Sequence, residues 1–321
     1  MKTDMERSNP ADSIPPRIVR RRWAWPGHPS KGNRAISSGA AWPYYLPAVI
    51  IFTLIVVVPI IWSFGASLFD WNGIGAMRFS GLANFKLMLT DKVFRAAFLN
   101  TIFFTLLGTC VQMLMGLVMA LLVLCIDRFR TIIRTVYFIP CVISSVAISQ
   151  IFAQMLAVNP PGVVPAVGSL FGLAPHALLS DPHWALVLVT LIDAYKFAGI
   201  YMVIYYAALQ SVDAEVLEAA LIDGCNWWQQ LIYIRVPLIR AVLEVTLVML
   251  VSGCLKGFDV SYVLTGGGPG SSSELVSTYL YKTIFISGNF GYGSAISIFL
   301  AVECLVTLLI LRHLFGRGDK A

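Results

Sequence analysis

The stretch Glu218–Gly224, which reads EAALIDG, is polar and helix-prone, yet it lies between two long apolar segments of the chain. Nine residues separate Gly224 from Ile234, and Pro237 follows where the next apolar segment begins. Small residues followed by a glycine are typical of a short helix that ends in a left-handed turn. The stretch holds no catalytic constellation. We therefore predict a helical hairpin at a membrane surface that docks a partner protein.

Composition excludes a soluble fold. Of the 321 residues, 58% are apolar and 12% are charged, whereas soluble domains carry about 25% charged residues. The mean hydropathy is +0.77. The apolar runs far exceed the roughly 10 residues of a barrel strand, so we predict an all-α integral membrane protein.

Six apolar segments approach the roughly 20 residues that a helix needs to cross a bilayer. With a cytosolic N-terminus, sixteen Lys and Arg fall in segments predicted to lie inside and five in segments predicted to lie outside. This bias favours cytosolic N- and C-termini. The predicted spans are 44–68, 96–126, 132–156, 184–209, 236–262 and 292–311.

The chain divides into three parts. Residues 1–41 are basic and rich in Pro and Ser, which predicts a disordered cytosolic arm; a secretory signal is the alternative, but the first apolar run is too long for one. Residues 42–315 form the predicted membrane domain, and residues 316–321 a cytosolic tail.

Three segments between spans also have predicted structures. Residues 82–90 fit a short amphipathic helix lying on the membrane. Residues 157–183 fit an ordered loop or a bent re-entrant piece, because of their prolines. The glycine- and serine-rich residues 265–273 fit a flexible loop.

Helix-terminal residues delimit the predicted hairpin. Ser211 or Asp213 is expected to cap its first helix. Ala219 and Ala220 are expected to form a flat surface of small side chains, and Gly224 a left-handed C-terminal turn.

A second short helix is predicted after Gly224. Asn226 and Gln229 have the spacing of a capping box, and Pro237 fits the first turn of the fifth span. The alternative without a docking role is an ordinary amphipathic connector between two spans. A DNA-binding role is excluded, because residues 213–233 hold four acids and no Lys or Arg.

The pattern Glu-Ala-Ala, three residues, Gly, nine residues, Ile-x-Leu-Pro resembles the signature of inner-membrane permease subunits of ATP-binding-cassette importers, with Val236 in place of the Leu. The similarity covers residues 43–315, and Thr265–Gly270 resembles the maltose-permease-like member of the usual pair. Cys225 and Ala241 depart from the usual Ala and Pro. Other motifs resemble the carbohydrate-uptake branch: Asp70–Gly73, Phe79–Phe85, Asn100–Thr101, Phe138–Pro140, Tyr201–Met202, Ala208–Gln210, Ile222–Gly224 and Phe258–Asp259.

The resemblance implies a type I importer permease of a bacterial inner membrane, with six transmembrane helices and a cytosolic coupling hairpin at 211–235. It implies four partners besides the lipid bilayer: a second homologous permease, two cytosolic ATPase subunits and an external solute-binding protein. The sequence has no Gly-x-x-x-x-Gly-Lys-Ser/Thr loop, so ATP hydrolysis falls to a partner and this chain is not an enzyme. The expected ATPase-coupling residues are Glu218, Ala219, Ala220, Asp223, Gly224, Ile234 and Pro237.

Charged residues inside the predicted spans are the next candidates. Each costs on the order of 3 kcal/mol to insert, so it usually faces the bundle interior. Asp193 and Lys196 are three residues apart, as are Lys256 and Asp259, and each pair is expected to neutralise itself on one helix face. Packing between helices and a polar path for a solute both remain open.

By resemblance, contacts with a sugar or sugar-like solute lie in the fourth and fifth spans, around Lys196–Tyr201 and Ser252–Asp259. Gly199 has the alternative role of close helix approach. No cofactor or metal is expected, since the four histidines lack metal-ligand spacing. The expected path residues are Tyr195, Lys196, Gly199, Tyr201, Ser252, Lys256 and Asp259.

Two other classes compete with an ATP-driven importer. An ion-coupled secondary carrier would use the intramembrane charges as a relay, but no internal repeat is visible in the sequence. A membrane-embedded enzyme would require clusters of His, Asp or Glu at one membrane face, and the sequence has none.

Overall fold

The computed structural model describes residues 42–126, 128–172 and 174–315, without the side chains of residues 42–44. The predicted arm (1–41) and tail (316–321) lie outside the described residues. The chain divides into two units, 1–57 and 58–321. In the first, helix α1 (Trp42–Phe52) continues into a π-helical turn at Thr53–Val57.

The second unit is almost entirely helical. Besides short 3-10 and π-helical turns, it has a two-stranded ribbon, β1 (Phe69–Asp70) and β2 (Arg78–Phe79), paired antiparallel. The helices are α2 (Val58–Ala66), α3 (Ala83–Thr90), α4 (Lys92–Cys125), α5 (Arg130–Val142), α6 (Ser145–Leu156), α7 (Val163–Leu170), α8 (Ala185–Gln210), α9 (Ala214–Ile222), α10 (Trp227–Gln230), α11 (Val236–Leu238), α12 (Arg240–Leu255), α13 (Asp259–Leu264), α14 (Val276–Tyr281) and α15 (Phe290–Phe315).

Five helical segments of the described chain are long and apolar enough to cross a membrane, or six if one bent pair counts as a span. Five of the six predicted spans correspond to these segments. The segments are Tyr45–Ala66, Lys92–Cys125, Ala185–Gln210, Arg240–Leu264 and Phe290–Phe315.

The third predicted span, 132–156, is not one straight helix. Its two halves, α5 and α6, are bent by 96° at the break between them. Ile143 has an extended backbone there, with φ of −68° and ψ of +141°; Pro140 lies within α5, before the break, and the Ile143 amide still bonds to the Ile139 carbonyl. The segment is therefore a broken span or a re-entrant element.

The fifth predicted span is interrupted near both ends. Pro237 lies in the separate short helix α11, not in the first turn of α12 as predicted. At the other end α12 stops at Leu255 and α13 begins at Asp259. A Cβ at Gly257 would lie 2.7 Å from the Phe104 ring, so the break brings backbone against α4.

Helix α8 is the centre of the second unit, with sixteen of its 26 residues buried. Glycines allow its neighbours to approach closely. A Cβ at Gly116 of α4 would lie 2.9 Å from the Cβ of Tyr201, and a Cβ at Gly199 would lie 2.3 Å from the Tyr137 carbonyl oxygen of α5. Small residues serve the same purpose in many membrane bundles.

The segments between spans are ordered. The predicted amphipathic helix at 82–90 corresponds to α3, and its Asn84 amide donates to the carbonyls of Ser67 and Phe69, each at 2.9 Å. Residues 157–183 contain α7 and a short 3-10 turn, in agreement with the prediction of an ordered loop.

Residues 265–273 form a hydrogen-bonded turn, so the prediction of a flexible loop is wrong. The Ser273 hydroxyl donates to the Gly268 carbonyl at 2.6 Å, and the Asn100 amide of α4 donates to the carbonyls of Ser271 and Glu274, each at 3.0 Å. Composition suggested flexibility, but contacts with distant residues supply the order.

Candidate functional site

A cavity of about 370 Å³, with a mainly apolar wall that carries several polar groups, lies between α4, α6, α8 and the break that separates α12 from α13. Aromatic, acidic, basic and amide side chains share its wall. The residues that line it are Gln112, Ser145, Asp193, Phe197, Ile200, Tyr201, Leu250, Gly253, Cys254, Lys256, Gly257, Phe258 and Asp259.

Asp193 is the most deeply placed charged group of this cavity. It is 9% exposed and Gln112 is 3% exposed. The Gln112 Nε2 donates to Asp193 Oδ2 at 3.2 Å and also lies 3.8 Å from the Cys254 sulfur. Gln112 thus fixes the orientation of the carboxylate and leaves it facing the cavity.

The predicted neutralising pairs make no direct ion-pair contact. Among the described residues, no ion pair within 4.0 Å joins Asp193 to Lys196 or Lys256 to Asp259. Lys196 instead places its Nζ 3.9 Å from the centroid of the Phe197 ring, a cation–π geometry. Lys256 and Asp259 flank the helix break, so they do not share one helix face.

Three of the seven expected path residues line the cavity: Tyr201, Lys256 and Asp259. Tyr201 is buried at 8% exposure, while Lys256 and Asp259 are exposed. The three come from two different spans, and the break after α12 turns the latter two toward α8.

The other four expected path residues lie elsewhere. Lys196 was described above. Tyr195 is exposed and packs edge-to-face on Phe152. The Ser252 hydroxyl donates to the Val248 carbonyl of its own helix at 2.7 Å. Gly199 packs against the α5 backbone, as the alternative interpretation expects.

Sequence reasoning missed Gln112 as a lining residue, whereas Phe197 and Phe258 lie within the ranges 196–201 and 252–259 that the resemblance implied. Gln112 carried a usable signal, because an uncharged polar side chain deep in an apolar span usually faces the bundle interior.

The predicted hairpin is formed by α9, α10 and the turn between them, and we call residues 211–235 the hairpin. Helix α9 ends in a left-handed residue, Gly224, with φ of +84°. The Gly224 amide donates to the Leu221 carbonyl at 3.0 Å and the Cys225 amide to the Ala220 carbonyl at 2.9 Å. These two bonds define a Schellman motif, so the predicted C-terminal turn is confirmed.

The second helix begins with the predicted capping box. The Gln229 amide donates to Asn226 Oδ1 at 2.9 Å, and the Asn226 amide donates to Gln229 Oε1 at 2.8 Å. At the start of α9, Asp213 occupies the N-cap position, but its side chain makes no capping bond to the described residues.

The outer surface of the hairpin mixes acids with exposed apolar side chains. Ala219 is exposed, but Ala220 is only 6% exposed. The prediction of a flat surface formed by both alanines is therefore correct for Ala219 and wrong for Ala220. Ile222 is 87% and Tyr233 74% exposed. Of the expected coupling residues, Glu218, Asp223, Gly224 and Pro237 are exposed and Ile234 is half-buried.

An ion pair between buried Glu274 and half-buried Lys282 stabilises the segment 265–292. The Lys282 Nζ lies 2.5 Å from Glu274 Oε2 and donates to the Gly266 carbonyl, also at 2.5 Å. The Thr278 hydroxyl donates to the other Glu274 oxygen at 2.6 Å. We call Glu274, Lys282 and Thr278 the Glu274 cluster.

Two tyrosines of the same segment converge on Asp91, which precedes α4. Asp91 Oδ2 accepts from Tyr279 at 2.5 Å and from Tyr292 at 2.7 Å. Burial raises the pKa of Asp91, but these bonds and the amides of Val93 and Phe94 outweigh it and leave that pKa below its usual value. Burial and the bond to Asp91 raise the pKa of Tyr279 to about 12.

This arrangement, a bundle of membrane-spanning helices with an internal cavity that carries polar groups and with an exposed hairpin, is that of a membrane permease. The profile of the family described as "binding-protein-dependent transport system inner membrane component" matches residues 112–317, more than half of the chain. The chain therefore belongs to this family: it is a permease subunit of a binding-protein-dependent ABC importer, not its ATPase, and the predicted resemblance is confirmed.

Individual relatives agree with the family. The chain is 33% identical over 280 residues to a probable ABC transporter permease protein of Pyrococcus horikoshii, covering 86% of this chain and 96% of that one. It is 31% identical over 285 residues to the lactose transport system permease protein LacF of Rhizobium radiobacter, covering 87% and 94%. In a crystal structure of a bacterial alginate ABC transporter in complex with an alginate pentasaccharide-bound periplasmic protein, one chain matches with a TM-score of 0.78 at 26% identity, covering 88% of this chain and 97% of that one.

Proposed function

We propose that this permease subunit imports a sugar or sugar-like solute and forms half of the translocation path. A lactose permease is among its relatives, and the solved neighbour belongs to an alginate importer. The cavity supports the proposal: Tyr201, Phe197 and Phe258 supply aromatic surface, and Gln112 and Asp193 supply hydrogen-bonding groups. An apolar wall with a few placed polar groups suits a small polar ligand, because a sugar ring has an apolar face and polar edges.

The hairpin docks a cytosolic ATPase subunit in this proposal. Its local hydrogen bonds hold α9 and α10 in a fixed shape, while its apolar side chains Ile222 and Tyr233 are exposed. Burying Ile222 in a cleft of the ATPase would contribute about 2 kcal/mol. Glu218 and Asp223 add charges that orient the hairpin, and Gly224 leaves room beside the turn.

The complete importer then contains a second homologous permease, two ATPase copies and an external solute-binding protein. Closure of the ATPase pair on ATP moves the hairpins as rigid bodies and opens the path outward. The binding protein delivers the solute on that side, as in the solved neighbour, whose partner is a loaded periplasmic protein. The excess of Lys and Arg in these segments supports a cytosolic location for both termini and the hairpin.

The test reconstitutes the complete importer in proteoliposomes and measures uptake of a radiolabelled disaccharide, maltose or lactose. We expect uptake to require ATP and the binding protein, and to continue when ionophores collapse all ion gradients. Uphill uptake by this chain alone on an ion gradient would overturn the proposal and favour an ion-coupled secondary carrier.

A further inference from the structure

We propose that Lys86, Lys92 and Arg95 bind the headgroups of anionic phospholipids at the outer surface of the membrane, and we call these three residues the outer basic patch. This binding is separate from the proposed function, because it holds whatever solute passes through the cavity. Only the proposed orientation of the chain is shared with that function, since it places residues 67–95 outside. The patch consists of charges that neither the solute path nor the hairpin uses.

The patch is an exception to the charge distribution of the chain. Membrane proteins usually keep Lys and Arg on the cytosolic side, and five fall in segments predicted to lie outside. Two of these five have an acid opposite them: Lys282 pairs with Glu274, and Arg78 lies opposite Asp70 in the β1–β2 ribbon. The other three form the patch, which concentrates the remaining outer cations within residues 86–95.

The described part of the chain does not neutralise the patch. All three of its side chains are exposed, and none makes an ion pair within 4.0 Å with the described residues. The acid that lies between them in sequence is Asp91, whose carboxylate accepts hydrogen bonds from two tyrosines and one backbone amide. The ammonium and guanidinium groups are therefore available to an anion from outside the chain.

Exposed apolar side chains accompany Lys86 on helix α3. Leu82, Lys86 and Leu89 are four and three residues apart, which puts them on one helix face. Leu82 and Leu89 are 63% and 69% exposed, whereas Asn84 and Met88 of the opposite face are buried. An exposed helix face that combines leucine with lysine is typical of a helix lying in the headgroup region of a membrane.

The other two residues of the patch lie at the start of helix α4, above its exposed apolar face. Lys92, Arg95 and Leu99 are three and four residues apart, and the exposed face continues through Leu106. A helix of 34 residues is about 51 Å long, whereas the hydrocarbon core is about 30 Å thick. Lys92 and Arg95 are the charged residues of α4. Its first turns therefore lie at headgroup depth, where such side chains reach lipid phosphates.

A phospholipid fits this surface better than a water-soluble partner does. The solute-binding protein could reach the cations, but not the apolar face that continues from them along α4 into the bilayer. A phospholipid supplies both a phosphate for the cations and acyl chains for that face. Each basic residue near an anionic membrane surface strengthens binding roughly fivefold. We therefore expect the patch to prefer phosphatidylglycerol, which is anionic, to phosphatidylcholine, which is zwitterionic.

The test places photoreactive benzoylphenylalanine at position 89 of the complete importer, beside the patch. The importer is held in nanodiscs of equal parts phosphatidylglycerol and phosphatidylcholine, with its solute-binding protein present, and mass spectrometry identifies what the probe captures. We expect lipid adducts in which phosphatidylglycerol exceeds phosphatidylcholine at least fivefold. The triple change Lys86→Gln, Lys92→Gln and Arg95→Gln should reduce that ratio to below twofold, because it removes the charges and keeps the apolar faces.

Three further variants keep the test decisive. Lys86→Arg with Lys92→Arg preserves the charge and should preserve the ratio. Lys86→Gln alone carries the test if the triple variant fails to assemble, and it should lower the ratio at least twofold. Arg128→Gln with Arg134→Gln is the matched control, because it removes exposed arginines beyond the opposite end of α4, several screening lengths of about 10 Å away. We expect it to leave the ratio unchanged.

Equal capture of the two lipids by the native importer overturns the proposal. So does an unchanged ratio in the triple variant, or an equal change in the arginine control. Capture of the solute-binding protein or of the second permease in place of lipid also overturns it, as does the absence of any adduct. ATP-driven uptake by the same preparation is recorded separately, so a failed lipid preference leaves the proposed importer function standing.

Discussion

The hairpin and the segment 265–292 are both regions of short helices, but their side-chain hydrogen bonds differ in the sequence separation of the residues they join. In the hairpin, side-chain bonds join residues no more than five apart, such as Gln230 to Cys225. In the segment 265–292, Tyr279 and Tyr292 reach Asp91 across 188 and 201 residues of sequence.

Their apolar side chains differ in the same way. Ile222 and Tyr233 of the hairpin are 87% and 74% exposed, whereas Leu275 and Val276 are 1% and 0% exposed; in the latter segment the exposed apolar side chains, Phe285 and Ile286 at 68% and 65%, lie in a single π-helical turn. One region therefore stabilises the fold of this chain, and the other holds its own shape and leaves its apolar surface for a partner. Changes in the two regions should consequently damage different properties.

The largest effect is expected from Gly224→Asp in the hairpin. The new side chain would occupy the open space beside the turn and, at a φ of +84°, strain it. We expect uptake and solute-stimulated ATPase activity of the reconstituted importer to fall at least 100-fold, with normal membrane insertion. Gly75→Asp is the control: Gly75 has a φ of +89° and, in the described structure, nothing within 4 Å of a Cβ. Normal uptake by the Gly224 variant would contradict the docking role.

Glu274→Gln tests the opposite region. It keeps the shape of the side chain but leaves Lys282 without its buried partner, and breaking a buried pair costs about 3 kcal/mol. We expect a lower free energy of unfolding in detergent, measured by thermal and denaturant unfolding. The control Glu244→Gln breaks an exposed pair with Arg240 at 2.7 Å and should cost less than about 1 kcal/mol. Similar losses in both variants would remove the distinction between the regions.

Ile222→Ser is expected to weaken docking without affecting stability. Losing the burial of this side chain should reduce affinity for the ATPase subunit roughly tenfold, by about 1.4 kcal/mol, as measured by biolayer interferometry on nanodisc-embedded permease. Ile74→Ser is the matched control, since Ile74 is 85% exposed in the turn between β1 and β2. A reduced unfolding temperature with unchanged affinity would show that Ile222 serves the fold.

The smallest effect concerns pH. The folded pKa of Asp91 lies below its ordinary value of 3.8, so its contribution to stability is present above that value and is lost as pH falls through the folded pKa. Unfolding curves recorded from pH 6 to pH 2 should show a loss of stability that is reduced in Asp91→Asn. An identical pH profile in the variant would show that the tyrosine bonds do not favour the charged form.

Local chemistry made parts of this structure predictable. The Schellman turn at Gly224 and the capping box of Asn226 and Gln229 depend on residues within six positions of each other. Both motifs were predicted correctly. The long spans were predictable for a similar reason, because length and hydropathy alone select them.

Long-range packing made other parts unpredictable. The break after Leu255 brings Gly257 against Phe104 on another helix, a contact between residues far apart in the sequence. Ala220 is buried although its neighbour Ala219 is exposed, and identical side chains give no sign of which faces inward. Asp193 bonds to Gln112, 81 positions away, instead of to its near neighbour Lys196.

From the amino-acid order alone one obtains a helical membrane permease, the ends of its hairpin helices and the family to which it belongs, since these follow from periodicity, hydropathy and short-range capping. The composition of the cavity, the packing role of Gly199 and the order of residues 265–273 emerge only when distant helices come together. Spacing along one helix shows which residues are able to meet, but the neighbouring helices determine which of them do.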